Sequence, residues 1–152
     1  MVVIILGSKS DLPWGEKISQ SLKGLEVENK IRIGSAHKTP EYLSGIVKKY
    51  EKEDVVYICV AGRSNALGGY VDAQTTHPVI NCPPYSDKYS GMDILSSLRM
   101  PSGVGAVTVL EPEQAAVAAA KIFATTNVRL RNKIRDYQKS LRDKVISEDK
   151  SL

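Results

Sequence analysis

Two stretches of this 152-residue chain restrict its fold more than any others: Val2-Val3-Ile4-Ile5-Leu6 and Val55-Val56-Tyr57-Ile58-Cys59-Val60-Ala61. Neither alternates apolar with polar side chains. Successive side chains on a strand point to opposite faces, so an unbroken β-branched run has to be covered on both. A parallel sheet with helices on each side meets that condition. Each run is also followed by turn residues and then a helix start, as that architecture requires.

The rest of the chain repeats the alternation. Gly7-Ser8-Lys9-Ser10-Asp11 follows the first run, and Leu12-Pro13 opens a helix through about Leu22, with Ser10 or Asp11 suited to cap it. A second strand is expected over Val27–Ile33. It leads through Gly34-Ser35-Ala36-His37-Lys38-Thr39 into a helix over Pro40–Lys52, where Leu43, Ile46, Val47 and Tyr50 form one apolar stripe. The Val55–Ala61 strand ends in Gly62-Arg63-Ser64-Asn65-Ala66-Leu67-Gly68-Gly69. A fourth strand over Pro78–Cys82 is stopped by Pro83-Pro84, a short helix is expected over Asp93–Leu98, and a fifth strand over Val104–Leu110. Pro112–Thr125 is nearly all alanine and aliphatic, which predicts a helix buried all round, against another subunit as well as its own sheet. From Asn127 a basic helix carries Leu130, Ile134, Tyr137, Leu141 and Val145 along one narrow seam, the pattern of a helix that docks on a neighbour.

Strand and helix in this order give an α/β fold with right-handed crossovers, strand order 2-1-3-4-5 as in flavodoxin-like sheets, and a C-terminal helix. We divide it as a catalytic α/β domain, residues 1–126, and a helical extension of the same domain, residues 127–152, expected to pack against other subunits. Composition is that of a globular protein, with 42% hydrophobic and 25% charged residues. The net charge of +4 resides in the tail: residues 1–126 carry 13 basic and 13 acidic side chains, residues 127–152 carry 8 and 4. That distribution gives little reason to expect a nucleic-acid partner. No apolar stretch approaches the roughly 20 residues of a membrane helix, and Met1–Leu6 is too short for a signal-peptide core, so a cytoplasmic protein is expected. Cys59 and Cys82 lie in or beside apolar runs as small buried hydrophobes, and no metal site is expected.

Chemistry concentrates in three turns at the carboxyl ends of strands one, two and three, where open α/β sheets bind ligands. Gly7, Ser8, Ser10 and Asp11 form either a capped helix start or an anion-binding turn; neither the P-loop nor the dinucleotide fingerprint is present. Ser35, Ala36, His37 and Lys38 bring an imidazole, either a loop histidine without a task or a proton shuttle. Gly62, Arg63, Ser64, Asn65 and Leu67 belong to a turn whose glycines serve tight packing or close approach of a ligand, and Arg, Ser and Asn add donors to it. Together they describe a small anionic ligand over the sheet end.

These turns resemble the aminoimidazole ribonucleotide carboxylase family of purine biosynthesis, known as PurE. The resemblance runs to about Ala124. It rests on Gly-Ser-Lys-Ser-Asp at 7–11, Ser-Ala-His-Lys-Thr-Pro at 35–40, Ala-Gly at 61–62 and Ser-Ser-Leu-Arg-Met-Pro-Ser-Gly-Val at 96–104. It implies a three-layer sandwich, an octamer or alternatively a tetramer, an aminoimidazole ribonucleotide and carbon dioxide as substrates, and no cofactor. It assigns ribose and phosphate to Ser8, Ser10 and Asp11, and the reacting face to Ser35, Ala36 and His37, with His37 moving the proton.

One branch of the family rearranges an N-carboxylated ribonucleotide and typically reads Ala-Gly-Gly-Ala-Ala-His-Leu-Pro-Gly-Met; this chain has Lys38, Ala61-Gly62-Arg63-Ser64-Asn65-Ala66 and Asn81-Cys82-Pro83-Pro84, and so resembles the branch that adds carbon dioxide directly. The branch's second histidine is replaced by Ala66. Lys38 or Arg63 is then placed to stabilise the new carboxylate, or merely to bind phosphate. The alternatives are the rearranging mutase and a non-catalytic nucleotide- or flavin-binding domain.

Overall fold

The computed structural model describes all 152 residues. Five strands form one parallel sheet in the order β2-β1-β3-β4-β5. They are β1 (Val2–Leu6), β2 (Asn29–Ile33), β3 (Val56–Val60), β4 (Val79–Asn81) and β5 (Val107–Thr108). The helices are α1 (Leu12–Gly24), α2 (Pro40–Lys49), α3 (Ala66–Asp72), α4 (Pro112–Ala124) and α5 (Val128–Asp149), and they make a layer on each face. None is long and apolar enough to cross a membrane.

Period two explains the sandwich. Val2, Ile4 and Leu6 of β1 and Val56, Ile58 and Val60 of β3 face one core, shared with Ile18 and Leu22 of α1 and the alanines of α4. Val3 and Ile5 with Tyr57, Cys59 and Ala61 face the other, shared with Leu43, Ile46 and Val47 of α2 and Leu67 and Val71 of α3. The register Ile31–Ile4–Ile58 runs across β2, β1 and β3. Every residue of β1 and β3 is buried, and each large aliphatic there contributes about 1.5–3 kcal/mol by leaving water. The expected 2-1-3-4-5 order is thus what the molecule adopts.

Several expected elements are shorter, for local reasons. The second strand enters the ladder at Asn29 rather than Val27, because Glu26 has φ +58° and the Val27 N–H turns back to the Leu22 carbonyl at 2.9 Å. The helix expected to reach Lys52 ends at Lys49. The fifth strand keeps only Val107–Thr108: Gly103 has φ +83°, and the Gly105 N–H is taken by the Asp72 carboxylate at 2.8 Å. The helix expected at Asp93–Leu98 is a 3-10 segment, Lys88–Ser97, kinked at Tyr89, Ser90 and Gly91, all at positive φ.

Two expectations for the carboxyl-terminal part involve other subunits, and a single chain shows its own share of each. On α4, Ala115, Ala116, Ala119, Ala120 and Ala124 are buried, whereas Val117, Ala118, Ile122 and Phe123 remain half-buried, so one chain does not cover the helix all round. The seam on α5 divides. Leu130 and Ile134 dock on the chain's own core, while Tyr137, Leu141 and Val145 are 39%, 48% and 64% exposed. At its start α5 is capped by Asn127, whose side chain accepts the Leu130 N–H at 3.0 Å, and Glu26 pairs with Arg129 and Lys133.

Candidate active site

The turns after β1, β2 and β3 meet because those strands are neighbours. The Gly7 N–H donates to the Val60 carbonyl and the Gly34 N–H to the Leu6 carbonyl, both at 2.9 Å. A Cβ at Gly7 would stand 3.2 Å from the Ala61 Cβ, so the first and third turns touch there. Between them opens a cleft of about 490 Å³, within the usual range for small-molecule sites. Gly7, Ser8, Ser10, Asp11, Ser35, Ala36, His37, Lys38, Gly62, Arg63, Ser64 and Leu67 line it, together with Ala61, which the sequence placed in the Ala-Gly motif but not among the ligand-facing residues. A larger hollow of about 720 Å³ lies between α1 and α5, walled by Glu26, Arg129, Lys133 and Tyr137; none of the three turns reaches it.

In the first turn the Ser8 N–H and hydroxyl donate to Asp11 Oδ2 at 3.0 and 3.2 Å, and the Ser8 and Ser10 hydroxyls are hydrogen-bonded to each other. Burial raises the Asp11 carboxyl above its ordinary range; the Ser8 donors and the charges of Arg63 and Lys38 oppose that rise. Side chains from all three turns therefore share one electrostatic field.

The second turn is self-braced. Ser35 accepts the Lys38 N–H on its hydroxyl at 3.2 Å, and its own N–H donates to Thr39 Oγ1 at 3.0 Å. Pro40 then starts α2 without an N–H to satisfy. His37 sits at the apex, exposed, with its ring bonded to no protein group, so both ring nitrogens are available to a ligand. His77 is placed at the opposite end of the sheet, before β4, with Nε2 3.3 Å from the Glu51 carbonyl and its ring beside Tyr57.

In the third turn Arg63 is exposed and has φ +59°. Asn65 departs from expectation. It is 2% exposed and does not line the cleft; its Nδ2 donates to the buried Ser97 hydroxyl at 2.9 Å, so the amide pegs the turn from beneath. Gly68 packs against Asn81 of β4 so closely that no side chain fits between them.

The family model described as AIR carboxylase matches residues 1–144. The chain belongs to the AIR carboxylase family. It is 54% identical over 150 residues, 99% of this chain and 83% of the relative, to a phosphoribosylaminoimidazole carboxylase of Archaeoglobus fulgidus. It is 46% identical to the phosphoribosylaminoimidazole carboxylase of Treponema denticola, over all of this chain and 97% of that one. The crystal structure of Treponema denticola PurE superposes with a TM-score of 0.97, covering 99% of this chain and 97% of that chain. The three-layer architecture and the order 2-1-3-4-5 are thus those of the AIR carboxylase family.

Proposed function

We propose that the protein is a phosphoribosylaminoimidazole carboxylase that joins carbon dioxide to C4 of 5-aminoimidazole ribonucleotide, giving 4-carboxy-5-aminoimidazole ribonucleotide, reversibly and without ATP, biotin or another cofactor. The observation that carries this reading is the unpaired His37 imidazole on the rim of a cleft that also gathers Asp11, Lys38 and Arg63. The family and its carboxylase relatives support the reaction class.

The chemistry asks three things of the cleft. The ribonucleotide is held at the first turn, where the Ser8 and Ser10 hydroxyls serve phosphate and ribose and Asp11 accepts from ribose hydroxyls. The C4 electron pair attacks the carbon of carbon dioxide; one C=O π pair moves to oxygen, and C4 becomes tetrahedral with its hydrogen still attached. Neutral His37 then takes that proton, the C–H pair returns to the ring, and aromaticity is restored. Negative charge grows on the new carboxylate only as the C–C bond forms, so a fixed Lys38 or Arg63 charge acts chiefly in the transition state. Ser35, Ala36, Gly62, Ser64 and Leu67 shape the reacting face.

Direct carboxylation is favoured over rearrangement of the N-carboxylated isomer by Arg63 and Ala66 in the third turn, where the rearranging branch described above carries glycine and histidine. The two substrates are to be fed separately, with released carbon dioxide scavenged in the isomer reaction. Turnover of 5-aminoimidazole ribonucleotide with bicarbonate as the source of carbon dioxide is expected. Efficient use of the isomer under scavenging would place the protein in the rearranging branch.

The same reading includes a closed homo-oligomer in the cytoplasm, an octamer or alternatively a tetramer. Its support is the apolar surface one chain leaves uncovered: Met92 and Leu95 on the 3-10 segment and Leu98 just after it, with Tyr137, Leu141 and Val145 on α5. Light scattering that returned a stable 16.6 kDa monomer would overturn it.

A further inference from the structure

The turn that carries Arg63 is held from outside the cleft. At φ +59° Arg63 occupies the left-handed region, which disfavours any residue with a Cβ and persists only where the surroundings fix it. Ser96 supplies that restraint. Its hydroxyl accepts the Asn65 N–H at 2.9 Å and lies 3.1 Å from the Arg63 carbonyl, to which it can donate. The two bonds bracket Ser64, which lines the cleft beside Arg63, whereas Ser96 is not among the lining residues. The next residue anchors the clamp: Ser97 accepts Asn65 Nδ2 on its hydroxyl, and its carbonyl accepts Thr108 Oγ1 of β5 at 2.6 Å and Asn81 Nδ2 of β4 at 3.5 Å. Arg63 is therefore tied through Ser96 and Ser97 to the far strands of the sheet.

We propose that Ser96 is a positioning residue for the carboxylation: it fixes the backbone of Arg63, and through it the place of the guanidinium over the cleft, without touching substrate. This rests on the reading of Arg63 as a cation that serves the reaction. The Ser96 hydroxyl has a single proton and two carbonyl acceptors, Arg63 and Asp93, the latter at 2.7 Å. The nearer Asp93 carbonyl competes for that proton, whereas the hydroxyl accepts the Asn65 N–H whichever carbonyl it donates to, so the hold on the turn depends on the hydroxyl and not on the bulk of the side chain. Alanine removes the Asn65 bond and any donation to the Arg63 carbonyl, and Arg63 is then expected to relax toward the right-handed region.

The experiment is a double-mutant cycle on steady-state kinetics of the full-length protein, with thermal unfolding recorded for each variant. Ser96→Ala is expected to lower kcat/KM about tenfold, equivalent to about 1.4 kcal/mol, mostly in kcat, with little change in melting temperature because Ser96 is exposed. Ser96→Thr keeps the hydroxyl and is expected to restore most of the activity. In an Arg63→Ala background, Ser96→Ala should cost nothing further, because the group it positions is gone. Full activity of Ser96→Ala, an equal loss in Ser96→Thr, or losses that multiply in the double variant would each overturn the proposal. Full activity of Arg63→Ala would instead sink the reading of Arg63, and the positioning role with it.

Discussion

Gly68→Ala tests the link between core packing and the site most directly. Gly68 lies in α3, one residue beyond Leu67 of the cleft, and an added methyl would stand 2.7 Å from Asn81 Cγ and inside the radius of its Oδ1. Asn81 is fully buried in β4, so it cannot swing into solvent. Either α3 backs away or the amide turns and gives up its long bond to the Ser97 carbonyl. Overpacking of this kind costs about 1–3 kcal/mol, and loss of a weak hydrogen bond adds about 0.5 kcal/mol. The gain in helix propensity returns at most about 1 kcal/mol. A net loss of about 1–2 kcal/mol is expected, lowering the melting temperature by about 2–4 °C per kcal/mol in a protein of this size. Urea unfolding at one fixed protein concentration measures it. Asn81→Ala removes the obstacle, and the Ser97 carbonyl keeps its bond from Thr108. In that background the Gly68→Ala cost should shrink to near zero. A single variant as stable as the parent, or the same cost in both backgrounds, would refute the packing reasoning.

Three further outcomes are expected. His37→Asn should keep ribonucleotide binding by calorimetry but lose about 10²–10⁴-fold in turnover, while His77→Asn, at the other end of the sheet, leaves kinetics unchanged. Asp11 has a raised carboxyl in the folded protein, so the stability it contributes is full below the ordinary carboxylate range and is lost as pH rises through the raised value. Asp11→Asn, which can still accept from Ser8, should accordingly match or exceed the parent in urea midpoint at pH 7, and that advantage should fade below about pH 4; a variant relatively weakest at pH 7 would contradict the sign. Cys59 and Cys82 are fully buried, with the Cys82 thiol pushed up to about 12 by burial. Neither should react with a thiol reagent at pH 8 until denaturant is added, and prompt labelling of the native protein would show the core to be open.

What the sequence disclosed and what it hid follow from the range of the interactions. The runs at Val2–Leu6 and Val56–Val60 declare burial on both faces by composition alone, and adjacency of β1, β2 and β3 then brings the three turns together. The fate of Asn65 was not legible, because an amide beside a glycine turn can face a ligand or a partner with equal local sense. Its partner, Ser97, lies on a distant segment. The motif at 96–104 was visible, but its task was not, for the same reason. The fifth strand was overextended because a carboxylate on α3 captures the Gly105 N–H, a contact no window of sequence contains. On α5 the periodicity is uniform while the partner is not: Leu130 and Ile134 meet the chain's own core, and Tyr137, Leu141 and Val145 do not.

The alanine face of α4 has a consequence for the cleft. Ala115, Ala116, Ala119 and Ala120 are all fully buried in the core that α4 shares with α1, and across α1 the backbone of Gly15 lies so near Leu6 that a Cβ there would be 2.7 Å from Leu6 Cδ2. Helix α1 is therefore a wedge seated between two surfaces with no slack on either. The turn that leads into it carries Ser8, Ser10 and Asp11, so the fit of α1 against the alanine layer is expected to bear on how far that turn stands from His37 and Arg63. A larger side chain on α4 would act as a spacer, moving the recognition turn as a rigid piece while every residue that meets substrate stayed the same. Distances across the cleft would then answer to a layer that no substrate touches.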